Sequence, residues 1–379
     1  MNAARSPRRA VALFALLPQL VLVVLVAAGC AAPASMLRRD PLDPIGRGTL
    51  VVANSGAGSV SFMDALTGDR LLDLPAGDGP GDVAVSPDGL TIVVADRGAA
   101  APGHVLTVIA IAESAVRATI DLGQHGRPGG LVYLPDGRRL LTTSGTTGNL
   151  LLVDVTSRRL VRAVPTGHAY AGELALQPDG RRVFISHGTD GCVTAVDTNR
   201  LDVVATVQTG DGAEGLAITP DGAQVWVCNQ ASDTLAIIDL PEGGQEPKLA
   251  ARVPCPGGPT RVRFSPEGHR AYVATTHSGD IAVFAVNRHE LLARIPLALS
   301  AVEISDSRLW GHQLPRDAVI DTTPADLLLS RDGKQMWVSH GRAGIVSVVD
   351  LERREVALRR RAGREPAGLG WTPALPGQF

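Results

Sequence analysis

The side chains that could do chemistry in this 379-residue chain are scattered and form no local motif. Its nine histidines include no H-x-H or H-E-x-x-H pair, so a metal site built on one strand or helix is not indicated. The sequence also lacks a G-x-S-x-G elbow, a phosphate-binding P-loop and a C-x-x-C pair. Any reactive centre must therefore be assembled by the fold from distant parts of the chain.

The stretch QPDGRRVFISHG, residues 177–188, illustrates the problem, because it contains His187, a possible metal ligand or catalytic base. Similar stretches recur along the chain, each beginning at a turn such as SPDG, LPDG, QPDG, TPDG, SPEG or SRDG. The prolines of these turns, or the residue in their place, are Pro87, Pro135, Pro178, Pro220, Pro266, Arg331 and, at the end of the chain, Pro373. The sequence therefore contains a repeat of about 42 residues with one longer interval.

Each repeat holds four short runs of aliphatic and β-branched residues, bounded by Gly, Asp or Asn. Four antiparallel strands per repeat predict the blade of a β-propeller. The last repeat has only its first strand, PAGLGWTP, whereas the chain begins with the three strands that this repeat lacks. We therefore predict an all-β, seven-bladed β-propeller over residues 48–373, closed by N- and C-terminal strands that share one blade, with a tail at 374–379.

The segments VVANSGAGSVSFMDALTGDRLLDLPAG and SPDGLTIVVADRG resemble the YVTN-type propeller repeats of exported prokaryotic proteins. The resemblance extends over residues 48–373 and implies a propeller fold. It does not imply one function, because related propellers include binding modules, surface proteins, lactone hydrolases and domains associated with haem or quinones.

The repeat gives His187 a structural interpretation. The equivalent positions hold polar residues throughout: Asn54, Asp96, Ser144, His187, Asn229, Thr275 and His340. A polar side chain at the end of a strand can bind backbone groups of the adjoining loop. We therefore interpret His187 and His340 as caps of their strands, and the aspartates that end the third strands as turn residues.

The first strand of each blade lines the central channel, and its side chains alternate between two sides. This alternation predicts that three carboxylates and two arginines converge at one mouth of the channel: Asp82, Glu173, Asp326, Arg261 and Arg263. Buried charges are either paired with each other or functional. Two interpretations follow, an internal ion-pair network and a ligand-binding site.

Loops that enter the first strands should emerge at the same mouth, and they carry His125, His168 and Tyr170. An insertion near 298–323 adds Trp310 and His312, and we expect it to act as a partial lid. Tyr170 and Trp310 are candidate ligand contacts. His125, His168 and His312 could share a metal with Glu173 or Asp326, because imidazole and carboxylate suit Zn or Cu, although no motif requires a cofactor.

The first 29 residues have the pattern of an export signal: three arginines, an apolar run, and VAAGC ending at Cys30. VAAGC resembles the bacterial lipobox, which implies cleavage before Cys30 and lipidation of its thiol, with residues 30–47 as a tether. An uncleaved membrane anchor is the alternative. Both predict an exported protein held at a membrane, in the periplasm or at the cell surface.

The charge balance limits the classes of binding partner, and the cysteine count limits the number of disulfides. Without residues 1–29 the chain has 33 basic and 38 acidic residues, which argues against binding to nucleic acid. The cysteines beyond Cys30 are Cys192, Cys228 and Cys255, so at most one internal disulfide can form.

The sequence favours an envelope-anchored binding module that offers its polar mouth to a small ligand or an envelope protein. The alternative is a redox accessory protein with a metal, quinone or haem, or a lactonase-like hydrolase, that uses the same mouth.

Overall fold

The computed structural model describes residues 48–241, 243, 245–310 and 320–377. In this part of the chain, seven four-stranded antiparallel sheets are arranged around one axis. The prediction of an all-β, seven-bladed propeller is thereby confirmed. The predicted signal peptide and tether, with Cys30, lie outside the described residues. No helix within the described residues is long and apolar enough to cross a membrane.

Blade 1 closes the ring with both ends of the chain. Its strands are β1 (Thr49–Asn54), β2 (Ser59–Asp64), β3 (Arg70–Pro75) and β28 (Pro366–Thr372), in the order β28-β1-β2-β3. Leu50 pairs with Trp371, and Val52 pairs with Leu369. The predicted pairing of PAGLGWTP with the first strand of the chain is confirmed, and it leaves the ring without a free inner edge.

The other six blades are continuous in sequence, and their strands run from the axis outward. Blades 2, 3 and 4 contain β4 (Pro80–Val85), β5 (Thr91–Asp96), β6 (Val105–Ala110), β7 (Ala115–Asp121), β8 (Pro128–Tyr133), β9 (Arg139–Ser144), β10 (Asn149–Asp154), β11 (Arg159–Pro165), β12 (Leu174–Leu176), β13 (Arg182–His187), β14 (Cys192–Asp197) and β15 (Asp202–Gln208). Blades 5, 6 and 7 contain β16 (Ala213–Ile218), β17 (Gln224–Asn229), β18 (Thr234–Asp239), β19 (Lys248–Pro254), β20 (Pro259–Phe264), β21 (Arg270–Thr275), β22 (Asp280–Ala285), β23 (Glu290–Pro296), β24 (Pro324–Leu329), β25 (Gln335–His340), β26 (Ile345–Asp350) and β27 (Glu355–Arg361).

Burial differs between the middle and the outer strands of a blade. β1 and β25 are buried along their whole length, because both of their faces pack against neighbouring blades. Outer strands such as β19 alternate between exposed and half-buried residues. The hydrophobic core is accordingly divided among blade interfaces. In one interface, Val51 and Phe62 of blade 1 pack with Ile92 and Val94 of blade 2.

The end of the propeller where first strands turn into second strands is called the turn face. There, the glycine of each of six turns faces the proline of the preceding blade's turn; the pairs are Gly89–Pro373, Gly137–Pro87, Gly180–Pro135, Gly222–Pro178, Gly268–Pro220 and Gly333–Pro266. These glycines have positive φ angles, between 66° and 75°. At the last boundary, Arg331 replaces the proline, and its guanidinium lies 4.2 Å above the ring of Trp371.

The insertion between blades 6 and 7 begins with two short helices, α1 (Ala301–Ser305) and α2 (Ser307–Trp310). Ser300 and Glu303 form a capping box at the start of α1. Arg359, on the outer strand β27, binds the Glu303 carboxylate at 2.7 Å and the carbonyl oxygen of Leu297 at 2.9 Å. The described part of the insertion is therefore held against the outer strand of blade 7.

Candidate functional site

The inner strands bring five charged side chains together near the axis, and we call them the charged layer: Asp82, Glu173, Arg261, Arg263 and Asp326. Arg261 Nη2 donates to Glu173 Oε1 at 2.9 Å, and Arg263 Nη2 donates to Asp326 Oδ1 at 3.0 Å. The predicted convergence of these residues is thus present in the structure. Part of the layer forms the ion-pair network that the sequence analysis proposed as one of two interpretations.

The two aspartates of the layer also join neighbouring blades. Asp82 Oδ2 accepts the backbone N–H of Leu131 in blade 3, at 2.8 Å. Asp326 Oδ2 accepts the backbone N–H of Leu369 in the closing strand, at 3.0 Å. Each aspartate uses its other oxygen to accept the N–H of the residue that follows it. These bonds fix both carboxylates in place at the axis.

Glycine and charged residues alternate around most of the ring at the position that bears the layer. In order from blade 1, the residues are Gly368, Asp82, Gly130, Glu173, Gly215, Arg261 and Asp326. A β-carbon on Gly368 would lie 2.8 Å from Asp82 Cα, and one on Gly215 would lie 3.1 Å from Arg261 Cα. Each glycine therefore makes room for the charged residue of the next blade. A ring of seven long side chains would not fit at this radius.

Two cavities meet at the charged layer. The mouth cavity, of about 590 Å³, opens between the loops of blades 1 and 2 and includes Ser55–Ala57, a single 3-10 turn. The second, of about 320 Å³, continues along the inner strands of blades 4 and 5 toward the turn face and is called the tunnel. All five residues of the charged layer line both cavities. The layer thus forms the polar floor of the mouth cavity.

The environment shifts the pKa values of Glu173 and Asp82 in opposite directions. Burial opposes the ionisation of Glu173, but three guanidinium groups, the strongest that of Arg261, outweigh it and hold its pKa below the ordinary value. Asp82 has no cationic partner within hydrogen-bonding distance in the described chain. Its burial, together with the charges of Glu173 and Asp326, raises its pKa to about 7. Asp82 can therefore gain or lose a proton near neutral pH.

Arg97 is a cavity residue that the sequence analysis missed. It lines the mouth cavity and is half-buried, yet its guanidinium makes no hydrogen bond or ion pair within the described residues. Its side chain lies across Gly81, where a β-carbon would come within 2.1 Å of Arg97 Cδ. A signal was available: the loop between the second and third strands has eight residues in blade 2 but four in the other blades.

The predicted aromatic contacts lie outside the lining of the mouth cavity. Tyr170 is half-buried, with its ring against Gly145 and Gly172 in the loops of blades 3 and 4. Trp310 is buried, and its Nε1 donates to the carbonyl oxygen of Glu303 at 2.9 Å. The expected position of Trp310 at the mouth is not observed, because Arg359 ties its segment to the outer strand β27. Residues 311–319, the middle of the proposed lid, lie outside the described part of the chain.

The three histidines proposed as metal ligands are not brought to one point by the described structure. His125 Nδ1 lies 2.8 Å from Thr147 Oγ1, and His168 Nδ1 lies 2.5 Å from Asp190 Oδ2. His312 falls outside the described residues. Among those described, no group of three or more His, Cys, Asp or Glu residues is placed to hold a metal ion.

His187 and His340 are capping residues, as the repeat predicted. Nδ1 of His187 lies 2.6 Å from the carbonyl oxygen of Tyr170, and Nδ1 of His340 lies 2.7 Å from that of Thr322. Burial lowers the pKa of each imidazole to about 4. Both rings are therefore neutral and fix the loops that enter the inner strands of blades 4 and 7.

The three cysteines beyond Cys30 are free thiols and are buried. The single disulfide that the cysteine count allowed is therefore not observed. Cys192 belongs to blade 4, Cys228 to blade 5, and Cys255 to the loop that follows blade 5.

Comparison with known proteins places this architecture in a family. A family model described as "Lactonase, 7-bladed beta-propeller" matches residues 174–292 and 218–368, which together span just over half of the chain. No curated protein matches the chain.

Two solved structures share the fold at low sequence identity. A functionally unknown protein from Desulfotomaculum acetoxidans superposes with a TM-score of 0.70 and 17% identity, covering 87% of this chain and 99% of its own. Hydrazine synthase from Kuenenia stuttgartiensis superposes with a TM-score of 0.66 and 19% identity, covering 84% of this chain and 98% of its own. These similarities concern the fold alone. The match to the family model covers more than half of the chain, and it shows that the chain belongs to the lactonase family of seven-bladed β-propellers.

Proposed function

We propose that this protein binds a small organic anion in the mouth cavity. The observation that carries the proposal is the guanidinium of Arg97, which lines the cavity and makes no hydrogen bond or ion pair with the described residues. An unpaired guanidinium beside a cavity of about 590 Å³ is suited to a carboxylate, which it can bind through two parallel hydrogen bonds.

The charged layer beneath Arg97 supports the same function. Arg261 and Arg263 are already paired with Glu173 and Asp326, so they add polarity without a free positive charge. Asp82, with a pKa of about 7, can donate a hydrogen bond to the ligand when protonated and accept one when ionised. A hydroxy acid offers both a carboxylate for Arg97 and hydroxyl groups for the layer.

Isothermal titration calorimetry with gluconate, citrate and neutral glucose tests the proposal. We expect the carboxylates to bind and glucose not to bind. Substitution Arg97→Met should weaken carboxylate binding by about 10- to 100-fold, since a charged hydrogen bond contributes about 1.5–3 kcal/mol. The matched variant Gly81→Ala leaves every charge in place but displaces the Arg97 side chain, so it should weaken binding in the same direction. Equal affinity of wild type and both variants would contradict the proposal.

Lactone hydrolysis is the second candidate function. The family match favours it, as does a carboxyl group with a pKa of about 7 facing the cavity. In this function Asp82, as carboxylate, takes a proton from water while the water oxygen attacks the lactone carbonyl. Asp82 then returns this proton to the ring oxygen as the acyl C–O bond breaks, which yields the open hydroxy acid. Proton release from δ-gluconolactone, measured above the spontaneous rate, tests this candidate. Turnover by wild type and none by Asp82→Asn would establish hydrolysis, whereas binding without turnover would leave the binding function alone.

We further propose that the propeller is exported and held at the membrane by a lipid on Cys30, where an envelope protein could be a second partner of the mouth. The basis is the sequence pattern of residues 1–30. Cells that express the protein with radiolabelled palmitate should yield a labelled, membrane-bound form. Substitution Cys30→Ser should abolish the label. A labelled Cys30→Ser protein, or wild type without label, would contradict the proposal.

A further inference from the structure

The mouth cavity contains one charge of each sign that the described chain leaves unpaired. The two arginines of the charged layer are each paired with a carboxylate; the pairs are Arg261–Glu173 and Arg263–Asp326. Asp82 is the third carboxylate of the layer, and it has no cationic partner within hydrogen-bonding distance among the described residues. Above the layer, the guanidinium of Arg97 is likewise unpaired within the described chain.

The carboxylate of Asp82 is fixed in place but can still accept hydrogen bonds. One oxygen accepts the N–H of Val83 at 2.9 Å, and the other accepts the N–H of Leu131 at 2.8 Å. Each carboxylate oxygen can accept two hydrogen bonds, so both retain an acceptor site. Asp82 also lines the mouth cavity, where a bound molecule can reach it.

Arg97 lies close to Asp82 without pairing with it. Asp82 lies opposite Ala95 in the pairing of β4 with β5, and Arg97 follows directly after the end of β5. Its side chain lies across Gly81. The two side chains form no ion pair, because the oxygens of Asp82 are bonded to backbone groups of β4 and of blade 3. Two opposite charges are therefore held apart in one cavity.

These two charges determine which small molecules suit the cavity. A carboxylate can bind the guanidinium of Arg97 through two parallel hydrogen bonds. A second anionic group beside Asp82 would be repelled, and a hydroxyl group there could donate a hydrogen bond but supply no charge. An ammonium group supplies both donors and a positive charge. The molecule that matches both side chains therefore carries a carboxylate and an ammonium group.

We propose that the ligand of the mouth cavity is an amino acid, whose carboxylate binds Arg97 and whose ammonium group binds Asp82. This inference rests on the proposed function, because the carboxylate is held by the same arginine. It goes further in assigning the second group of the ligand, which is an ammonium group in place of a hydroxyl group. Bound in this way, the ligand neutralises the two unpaired charges together.

Isothermal titration calorimetry of the purified full-length protein at pH 8 tests the inference with two matched pairs, L-aspartate with L-malate and L-serine with glycerate. In each pair an ammonium group replaces a hydroxyl group and the carboxylates stay the same. We expect the amino acid of each pair to bind about 10-fold more tightly, which is the effect of one additional charged hydrogen bond.

Variants assign the preference to one carboxylate. Asp82→Asn should bring the two members of each pair to within about threefold of each other, whereas Arg97→Met should weaken both. Glu214→Gln is the matched control, because Glu214 is a half-buried carboxylate that makes no hydrogen bond or ion pair with the described residues and lies outside the lining of the mouth cavity. It should keep the preference of wild type.

The pH dependence of binding provides a test that needs no variant. Burial and the charges of Glu173 and Asp326 raise the pKa of Asp82 to about 7, and Arg261 is the cation of the layer that also acts on it. Protonation of Asp82 removes the charge that the ammonium group binds. The affinity for aspartate should therefore fall by about 10-fold from pH 8 to pH 6, whereas that for malate should not fall.

The outcomes separate this inference from the function on which it rests. If malate binds wild type as tightly as aspartate does and Arg97→Met weakens both, the inference is overturned and the carboxylate-binding function stands. A preference for aspartate that persists in Asp82→Asn, or that is the same at pH 6 and pH 8, would also overturn the inference. Failure of all four compounds to bind would contradict the proposed function as well.

Discussion

The two ends of the inner strands differ in how far their residues repeat from blade to blade. On the turn face, six of seven blade boundaries repeat one contact, a glycine against the proline of the preceding blade. At the mouth, the equivalent positions hold glycine, aspartate, glutamate or arginine, and no two neighbouring blades are alike. Both ends must satisfy the same ring geometry.

The difference shows which contacts the ring itself needs. The turn contacts are local and apolar, so they can be repeated at every blade without conflict. Charges at the axis cannot be repeated in this way, because seven like charges would repel one another and seven long side chains would overlap. The mouth is therefore the end at which the blades are free to differ, and the candidate ligand site lies there.

The largest effect that would sharpen this comparison is expected at the mouth. Arg261→Met should lower the free energy of unfolding by about 3 kcal/mol, because it leaves the buried carboxylate of Glu173 without its partner. Urea denaturation monitored by tryptophan fluorescence measures the change.

The double variant Arg261→Met/Glu173→Gln provides the control. It removes the orphaned charge, so it should recover much of the stability lost in the single variant. If Arg261→Met were as stable as wild type, solvent in the mouth would screen the Arg261–Glu173 pair. The charged layer would then contribute little to the free energy of unfolding.

A smaller effect is expected on the turn face. In Gly333→Ala, the new β-carbon would lie 2.8 Å from Pro266 Cδ at a φ of 67°, so clash and backbone strain add. We expect a loss of about 2 kcal/mol. Gly123→Ala has the same kind of φ, 64°, with nothing within 4 Å, and should lose only about 1 kcal/mol. Equal losses in the two variants would mean that the proline contact carries no constraint.

The smallest effect concerns the pH dependence of stability. The pKa of Asp82 is about 7 in the folded protein against 3.8 ordinarily, so the folded state holds this proton more tightly. The stabilisation that this proton gives to the folded state is therefore complete below about pH 4, and it is lost as the pH rises to about 7. We expect wild type to lose about 1–2 kcal/mol relative to Asp82→Asn over this range, since water in the mouth screens part of the shift. Parallel profiles of the two proteins, from urea denaturation at each pH, would contradict the assignment.

Much of the site could be predicted from sequence, because the repeat shows which residues occupy equivalent positions in the seven blades. Counting back from the turn proline places Asp82, Glu173, Arg261 and Asp326 at one level of the ring, and the structure finds them there. The prediction of position fails where a segment is longer than its equivalents in the repeat. Arg97 lies in the lengthened loop of blade 2, and Trp310 lies in an insertion held to β27 by the Glu303–Arg359 contact. Neither position follows from periodicity.

The sequence by itself determined the number of blades, the closure of the ring by both chain ends and the capping role of His187, because each follows from a repeated pattern of turns and apolar runs. Only the tertiary structure decided which charges pair, that Asp82 has no cation within hydrogen-bonding distance among the described residues, and that His168 contacts Asp190 and Cys192. These outcomes depend on the distances between side chains across blade boundaries and between separate loops. A difference of less than an ångström decides whether two such groups pair, and the repeat does not encode these distances.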